Sequence, residues 1–369
     1  MKRSLTVVPA VVLAAAAALL AYLALWPVPV EPVAWQAPPA PGYSGPHTPN
    51  QLLAGLTVVP LGQEEGPEHI ALGRDGKLYA AVAGGKILRM APDGTGQQVF
   101  AATGGRVLGF DFDAAGNLIA ADAVRGLLAV APDGRVSVLA DRHDGAPIRY
   151  ADAVVVAQSG KIYFSDASTR FAPADWGGTF EASVLDILEQ SCSGRILEYD
   201  PAARATRVLA QGICFANGVA LAGDERALYV AETGKYRVWR IDVAARALDL
   251  RRPAPEARIV LDNLPGYPDN LMRGLDGRIW LGLAKPRSAT VDALADKPWL
   301  RKLTLRLPRA LWPVPKAYGH VIAFNEAGRI VADLQDPSGA WPETTGITET
   351  RERLYVQSLH GKGLAFRPL

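Results

Sequence analysis

Short apolar strands separated by turns recur along most of the chain. Each repeat has a turn with glycine or charged residues, an apolar strand that often carries an aromatic residue, and then a second strand. Copies occur at residues 75–79, 115–119, 159–163, 226–229, 276–280 and 353–355. Six copies over about 319 residues give roughly 53 residues per unit, which is typical of propeller blades with four strands each. The pattern therefore predicts an all-β fold, a six-bladed β-propeller over residues 51–369, rather than a β-sandwich. A strand at residues 56–61 is expected to complete the last blade, so that no long edge stays exposed.

The N-terminal segment has a different pattern. Lys2 and Arg3 precede an uncharged run over residues 5–26, and about 22 helical residues span roughly 33 Å, enough for a bilayer core. Residues 1–26 are therefore predicted to be a transmembrane signal-anchor, with the basic residues cytoplasmic and the rest outside the cytoplasm. A cleaved signal peptide is the alternative. Residues 27–50 are rich in proline, which predicts a semi-rigid linker between the helix and the propeller.

Only two cysteines occur, Cys192 and Cys214. If residues 194–200 and 206–212 form neighbouring strands, the two cysteines lie roughly opposite one another. Outside the cytoplasm that arrangement permits a disulfide, and two buried free thiols are the alternative.

The charge of the chain excludes one class of partner. The formal net charge is +2 over 369 residues, without a basic block dense enough to follow a phosphate backbone. No nucleic-acid binding is therefore expected. The basic-apolar stretch at residues 297–302, with Arg306 and Arg309, is either a solvated face or a surface that rests on acidic lipid.

Four acidic or amide residues precede the repeats at a nearly constant offset of 11 or 12 residues. They are Glu68, Asp152, Asn217 and Asp269. Equivalent offsets in different blades place the four side chains at one height around the propeller axis. Converging carboxylate and amide oxygens, without histidine or cysteine, suit a hard cation such as Ca²⁺. The alternative for each residue is that it caps a turn.

Several motifs together resemble a known family. They lie at residues 66–68, 120–128, 162–166, 215–219, 230–233, 262–270 and 297–302. The chain resembles the strictosidine synthase-like branch of the calcium-dependent six-bladed propellers, which also includes SMP-30/gluconolactonases, paraoxonases and diisopropyl-fluorophosphatases. The resemblance covers about residues 51–366 and implies calcium ligands at Glu68, Asn217 and Asp269. A fourth ligand position, usually asparagine in the family, falls on Asp152.

Two departures limit what this resemblance implies. The paired histidines of paraoxonases align with Leu108 and Asp122, so that base is absent. The acid/base glutamate of plant strictosidine synthase aligns with Thr345, while Glu343 and Glu349 are near but out of register.

The remaining polar candidates have two interpretations each. Asp122, Asp166 and Glu232 end predicted strands, and each either faces the channel as a catalytic group or holds the turn beside it. His69 is expected to point away from Glu68, because side chains alternate along a strand. His320 and His360 are expected to pack between blades.

Two functions remain open. The first is a calcium-dependent hydrolase of small lactones or aryl esters, in which Asp269 binds the metal and assists attack, with Asp122 and Asp166 as further catalytic candidates. The second is a non-catalytic propeller that binds a ligand or protein at the membrane surface, since fold alone does not decide function. In either case, residues 169–193 and 288–315 are expected to form the channel mouth and select the ligand.

Overall fold

Most of the chain folds into short β-strands. The computed structural model describes residues 4–369, with side chains from residue 10 onward. The strands, in chain order, are β1 (Thr57–Val59), β2 (His69–Leu72), β3 (Leu78–Ala81), β4 (Lys86–Met90), β5 (Gln98–Ala102), β6 (Val107–Phe112), β7 (Leu118–Asp122), β8 (Gly126–Val130), β9 (Val136–Ala140), β10 (Arg142–His143), β11 (Ala146–Pro147), β12 (Ala151–Val156), β13 (Ile162–Asp166), β14 (Gly194–Asp200), β15 (Ala205–Ile213), β16 (Ala216–Leu221), β17 (Ala227–Glu232), β18 (Arg237–Asp242), β19 (Leu248–Asp249), β20 (Ala257–Leu261), β21 (Gly266–Arg273), β22 (Ile279–Pro286), β23 (Gly319–Phe324), β24 (Ile330–Asp336), β25 (Thr344–Glu349), β26 (Arg353–Ser358) and β27 (Leu364–Pro368).

Six sheets form the blades of a propeller. Their strands are β2–β5, then β6–β9, then β12–β15 with β19 at the outer edge, then β16–β18 with β20, then β21–β24, and finally β25–β27 with β1. The innermost strands β2, β6, β12, β16, β21 and β25 contact one another in that order, and β25 also contacts β2. The predicted six-bladed propeller is therefore confirmed.

The N-terminal strand closes this ring. β1 pairs with β27, so that Thr57 lies opposite Phe366 and Val59 opposite Leu364. The last blade thus takes one strand from the start of the chain and three from its end, as expected from the sequence. This pairing covers the outer edge that β27 would otherwise expose.

The sequence repeat marks the tight turn between the first and second strands of each blade. Gly76, Gly116 and Gly160 have φ values of 73°, 83° and 84°, in the left-handed region that glycine adopts at no steric cost. In the fourth blade Glu225 takes the corresponding left-handed conformation, with φ 55°. The motif that predicts the blades is therefore a turn signal.

The hydrophobic core lies between adjacent blades. Ile70 of the first blade packs in one cluster with Tyr355 of the last, and both are at most 1% exposed. Ile196 of the third blade and Val230 of the fourth, both fully buried, share another cluster. Because each blade buries apolar side chains against both neighbours, the core is a set of layers around the axis.

Helices occur at the N-terminus and in two long insertions. They are α1 (Ser4–Leu25), α2 (Pro173–Trp176), α3 (Thr179–Glu189), α4 (Ala289–Ala293) and α5 (Pro298–Arg306), with 3₁₀ turns at Gly45–His47, Thr233–Lys235, Leu275–Gly277 and Arg309–Leu311. Within the described residues, no helix has both the length and the apolar character that crossing a membrane requires. The predicted transmembrane helix is therefore not supported by this structure.

The proline-rich segment lies against the propeller. The Val33 amide donates a hydrogen bond of 2.7 Å to the Glu189 carbonyl at the end of α3. Arg301, only 1% exposed, donates to the Val33 carbonyl, and Arg306 donates at 2.7 Å to the Trp26 carbonyl. Arg301 thus binds the proline-rich segment and Arg306 binds Trp26 directly before it, so the predicted linker packs on the folded surface.

Cys192 and Cys214 form a disulfide. The flanking strands form as predicted, because β14 and β15 pair and Gly194 lies opposite Ile213. Of the two alternatives left open by the sequence, the structure therefore contains the disulfide.

Candidate metal centre and substrate cavity

Three of the four predicted metal ligands lie where the inner strands bulge. The pairing registers of β12, β16 and β21 with their neighbours shift around Asp152, Asn217 and Asp269 respectively. A bulge bends its strand and redirects the side chain within it. The three residues are therefore presented from equivalent points of consecutive blades.

The other three blades carry the remaining members of this ring of positions. Glu68 directly precedes β2, while Leu108 and Thr345 lie in the corresponding register shifts of β6 and β25. Leu108 lines the cavity described below, and Thr345 is fully buried and donates a hydrogen bond of 2.9 Å to the Glu68 carbonyl.

A glycine allows two of these strands to meet. A Cβ atom at Gly218 would lie 2.3 Å from the Leu271 amide nitrogen and 2.4 Å from the Asp269 carbonyl oxygen. No larger residue fits there without moving a backbone. The close approach brings Asn217, the preceding residue, beside Asp269.

The four predicted ligands lie together at the buried end of one cavity. Glu68, Asp152, Asn217 and Asp269 all line it and are between 3% and 6% exposed. Burial, followed by repulsion from Glu68, raises the pKa values of the Asp152 and Asp269 carboxyl groups well above their ordinary range. These acidic groups are therefore close enough to repel one another.

Arg106 compensates part of this charge, and the sequence analysis did not identify it. Its Nη2 atom lies 2.6 Å from Oε2 of Glu68, and the two side chains are 12% and 5% exposed. Burial raises the pKa of Glu68, and the Arg106 guanidinium opposes that shift. Arg106 lies in the loop between β5 and β6, where the repeat pattern gives no signal.

The donor set fits a calcium ion in its chemistry. Among the residues that the structure describes, Oδ1 of Asp152 and Oδ1 of Asn217 are buried without a hydrogen-bond partner, which is costly unless something else binds them. All four side chains offer oxygen, the donor that Ca²⁺ prefers.

The geometry of the acidic groups is more open than that of a closed metal site. A closed metal site brings at least three ligand atoms of His, Cys, Asp or Glu within 4.8 Å of one another. In the described part of the chain, two groups meet this distance: His47–His320–Asp333 and Cys192–Cys214–Glu232. Glu68, Asp152 and Asp269 do not form such a group, and Glu68 is paired with Arg106. Binding an ion would therefore draw these carboxylates closer together.

The cavity above these residues has a volume of about 430 Å³ and mostly apolar walls. Residues 169–193 and 288–315, which were predicted to form the channel mouth, both contribute to this cavity. The lining includes Phe180, Ile187 and Leu188 from α3 and Thr304, Trp312 and Val314 from the second insertion. Tyr150 also lines it and donates a hydrogen bond of 2.8 Å to the Thr179 carbonyl. A small, largely apolar organic molecule suits such a site.

Asp122 lies outside this lining and holds a loop. Its carboxylate accepts hydrogen bonds of 3.1 Å, 3.0 Å and 3.0 Å from the backbone amides of Arg106, Val124 and Arg125, and one of 2.7 Å from Thr103 Oγ1. Its oxygens are therefore committed to fixing the entry into β6.

Asp166 and Glu232 likewise hold loops, in the third and fourth blades. Asp166 accepts hydrogen bonds of 2.9 Å from the Tyr150 amide and from Arg195 Nε, and Glu232 accepts one of 2.9 Å from the Cys214 amide. Neither residue lines the cavity. These contacts favour the turn-holding interpretation, and the catalytic role predicted for Asp122 and Asp166 stays a prediction.

The histidines occupy three different settings. His69 is buried against Phe110, away from the cavity, with ring centroids 4.6 Å apart. His320 is buried beside Asp333, 3.0 Å from its carboxylate. His360 was expected to pack between blades, and this is wrong, because the turn after β26 folds back so that His360 lines the cavity.

Two family models match the chain. Residues 45–90 match the description "Strictosidine synthase-like, N-terminal", and residues 152–245 match "Strictosidine synthase". The chain is also 32% identical over 292 residues to strictosidine synthase-like 7 of Arabidopsis thaliana, covering 77% of this chain and 72% of that protein. The chain belongs to the strictosidine synthase-like family. It is also 31% identical over 336 residues to the adipocyte plasma membrane-associated protein of Salmo salar, covering 84% and 77% of the two chains.

Two solved structures share the propeller fold of this chain. A gluconolactonase from Xanthomonas campestris matches with a TM-score of 0.59 and 18% identity, over 86% of this chain and 90% of the other. The calcium-binding protein regucalcin from Agrobacterium tumefaciens matches with a TM-score of 0.54 and 15% identity, over 85% and 92%. At these identities the likeness concerns the propeller fold alone.

Proposed function

We propose that this protein is a calcium-dependent hydrolase of lactones or aryl esters, with its active site in the cavity at the propeller axis. The observation that carries the proposal is the pair of buried oxygens of Asp152 and Asn217, which have no hydrogen-bond partner in the described part of the chain and line an apolar cavity of about 430 Å³. The solved structures with this fold include one named a gluconolactonase and one named a calcium-binding protein.

The residues of the site would divide the work between metal binding and substrate orientation. Glu68, Asp152, Asn217 and Asp269 would hold the ion, and Arg106 orients Glu68. When bound, the ion would polarise the substrate carbonyl and stabilise the negative charge that develops on its oxygen. Asp269 would also contact the attacking water, while the apolar walls exclude other water and orient the substrate.

A non-catalytic ligand-binding protein is the second candidate, and one observation favours it. The positions that carry acid/base residues in related enzymes are occupied by Leu108, Asp122 and Thr345. Leu108 and Thr345 do not titrate near neutral pH, and the Asp122 carboxylate accepts hydrogen bonds from a loop outside the cavity lining. Such a protein would bind a small apolar ligand in the same cavity without turning it over.

We also propose that the protein associates with a membrane through α1. The side chains of Leu13, Leu20 and Leu25 are 70%, 67% and 78% exposed, which is unfavourable in water. The disulfide between Cys192 and Cys214 supports a location outside the cytoplasm. A membrane-associated protein is among the relatives reported above.

Turnover of a panel of lactones and aryl esters by the purified full chain tests the proposed hydrolase. We expect hydrolysis that EDTA abolishes and Ca²⁺ restores. A ligand-binding protein would instead show saturable binding of such compounds without product.

A further inference from the structure

We propose that His360, oriented by Glu343, is the general base that activates the attacking water. This inference rests on the hydrolase proposed above. It assigns a proton acceptor to a site whose carboxylates would bind the proposed cation and would then be poorly suited to accept a proton.

The contacts of His360 are those of a catalytic base. Nδ1 is hydrogen-bonded to Oε2 of Glu343, whose other oxygen, Oε1, forms an ion pair with Lys285. The His360 side chain is 55% exposed and lines the cavity, whereas that of Glu343 is only 11% exposed. A carboxylate that accepts a hydrogen bond from Nδ1–H leaves the lone pair of Nε2 available on the opposite side of the ring.

The backbone holds both partners in place. Glu343 has φ 51°, a left-handed conformation that is uncommon for residues other than glycine, asparagine and aspartate. Its carbonyl accepts a hydrogen bond of 3.2 Å from the Leu359 amide, and Ser358 Oγ accepts one of 3.3 Å from the His360 amide. The strained residue that carries the carboxylate is thus tied directly to the turn that carries the imidazole.

Four charged groups from different segments act on the imidazole. They are Glu343 before β25, Lys285 on β22, and Glu65 and Glu68 before β2. The hydrogen bond with Glu343 raises the pKa of His360 above its ordinary value. Burial raises the pKa of Glu343, but the hydrogen bond with His360 and the ion pair with Lys285 outweigh it and hold that pKa at about 2. Glu343 therefore stays ionised, and His360 is a stronger base than a free histidine.

The proposed reaction conserves atoms and charge. The water oxygen attacks the carbonyl carbon while one water proton moves to Nε2 of His360. When the tetrahedral carbon expels the leaving oxygen, the bond between them breaks and His360 returns the proton to that oxygen. An ester yields a carboxylic acid and an alcohol, and a lactone yields one hydroxy acid, with His360 neutral again.

The test measures kcat/KM against pH for the best substrate of the panel, with the full chain in saturating Ca²⁺. We expect His360→Gln to lose 10²- to 10⁴-fold, the usual contribution of a general base. His143→Gln is the matched control, because His143 lies in the β10–β11 hairpin outside the cavity. It is expected to leave kcat/KM unchanged.

Two further variants distinguish a general-base role of His360 from a purely structural one. Activity requires neutral His360, so kcat/KM rises with pH through the raised pKa of the imidazole. Glu343→Gln removes the group that raises this pKa, so the rise is expected at lower pH with a lower plateau. Lys285→Met removes a positive charge, so the rise is expected at higher pH. A histidine with a purely structural role would not shift the profile in opposite directions.

The outcomes distinguish this inference from the proposed function. Hydrolysis by the wild type with unchanged kcat/KM and pH profile in folded His360→Gln overturns the role of His360 and leaves the hydrolase intact. Absence of hydrolysis by the wild type overturns both. An NMR titration provides a readout without turnover, in which a His360 pKa that is not raised, or is unmoved by Glu343→Gln, contradicts the pairing.

Discussion

The guanidinium of Arg106 lies 2.6 Å from the carboxylate of Glu68, and this pair joins the first two blades at the buried end of the cavity. Arg106 neutralises one acidic group and would compete for it with the proposed cation. Whether the site is stable without metal therefore depends largely on this one side chain.

Arg106→Met should destabilise the metal-free protein. Removing one partner of a buried ion pair leaves the other charge uncompensated, which costs about 3–5 kcal/mol. The stabilisation by Ca²⁺ should increase, because Glu68 is then free to bind the ion. Urea unfolding in EDTA and in Ca²⁺ measures both effects. Arg135→Met, which removes an exposed pair with Asp133, is the control and should change neither. An equal calcium response in Arg106→Met and wild type would contradict the assignment.

His69 should weaken the fold in acid. Burial lowers the pKa of its imidazole to about 4, so between pH 6.5 and 4 the unfolded chain binds a proton that the folded chain does not. Stability therefore falls as pH drops through this window, by at most about 3 kcal/mol from this residue. His69→Phe should reduce the loss in free energy of unfolding between pH 7 and pH 4.5. The calcium response at pH 7 should be unchanged, and a large effect on it would place His69 at the metal site instead.

With Thr345 at the position of the acid/base glutamate, the protein should not catalyse the strictosidine synthase reaction. The Thr345 hydroxyl is fully buried, donates to the Glu68 carbonyl at 2.9 Å, and does not titrate near neutral pH. We therefore expect no condensation of tryptamine with secologanin by the purified protein. Product detected by chromatography would show that another residue supplies the acid/base group.

The propeller could be predicted from the sequence because its signal is local. A turn motif precedes the second strand of each blade, with glycines such as Gly76 and Gly116 in several of them, and Asp152 and Asp269 lie at a fixed offset from those turns. Neither the bulges that aim these side chains nor their burial is visible in the sequence.

The features that sequence analysis missed depend on how loops return to the axis. Arg106 precedes β6 in a loop without periodicity, and His360 reaches the cavity because a turn after β26 folds back. Residues 27–50 were predicted to be a semi-rigid linker, and Arg301 binds the backbone of this segment through a contact distant in sequence. Such contacts are set by tertiary structure and leave no local pattern.

Residues 4–25 should determine where the protein is found in the cell. The full chain should sediment with membranes, because the exposed apolar side chains of α1 would bind lipid. A chain beginning at residue 27 lacks α1 and should not sediment with them. Extraction by carbonate and access of an added protease would report how α1 is attached and on which side the propeller lies. A full chain recovered in the soluble fraction, with α1 intact, would contradict the proposed association.

The calcium site is the central claim, and thermal unfolding of the full chain with and without Ca²⁺ tests it most directly. Calcium at a hundredfold excess over its Kd should stabilise the fold by about 3 kcal/mol, and EDTA should reverse this. Asp152→Ala and Asp269→Ala should weaken the response, whereas Asp133→Ala at an exposed surface position should retain it. If metal analysis finds no bound cation and EDTA leaves the melting temperature unchanged, the calcium site and the hydrolase built on it are wrong.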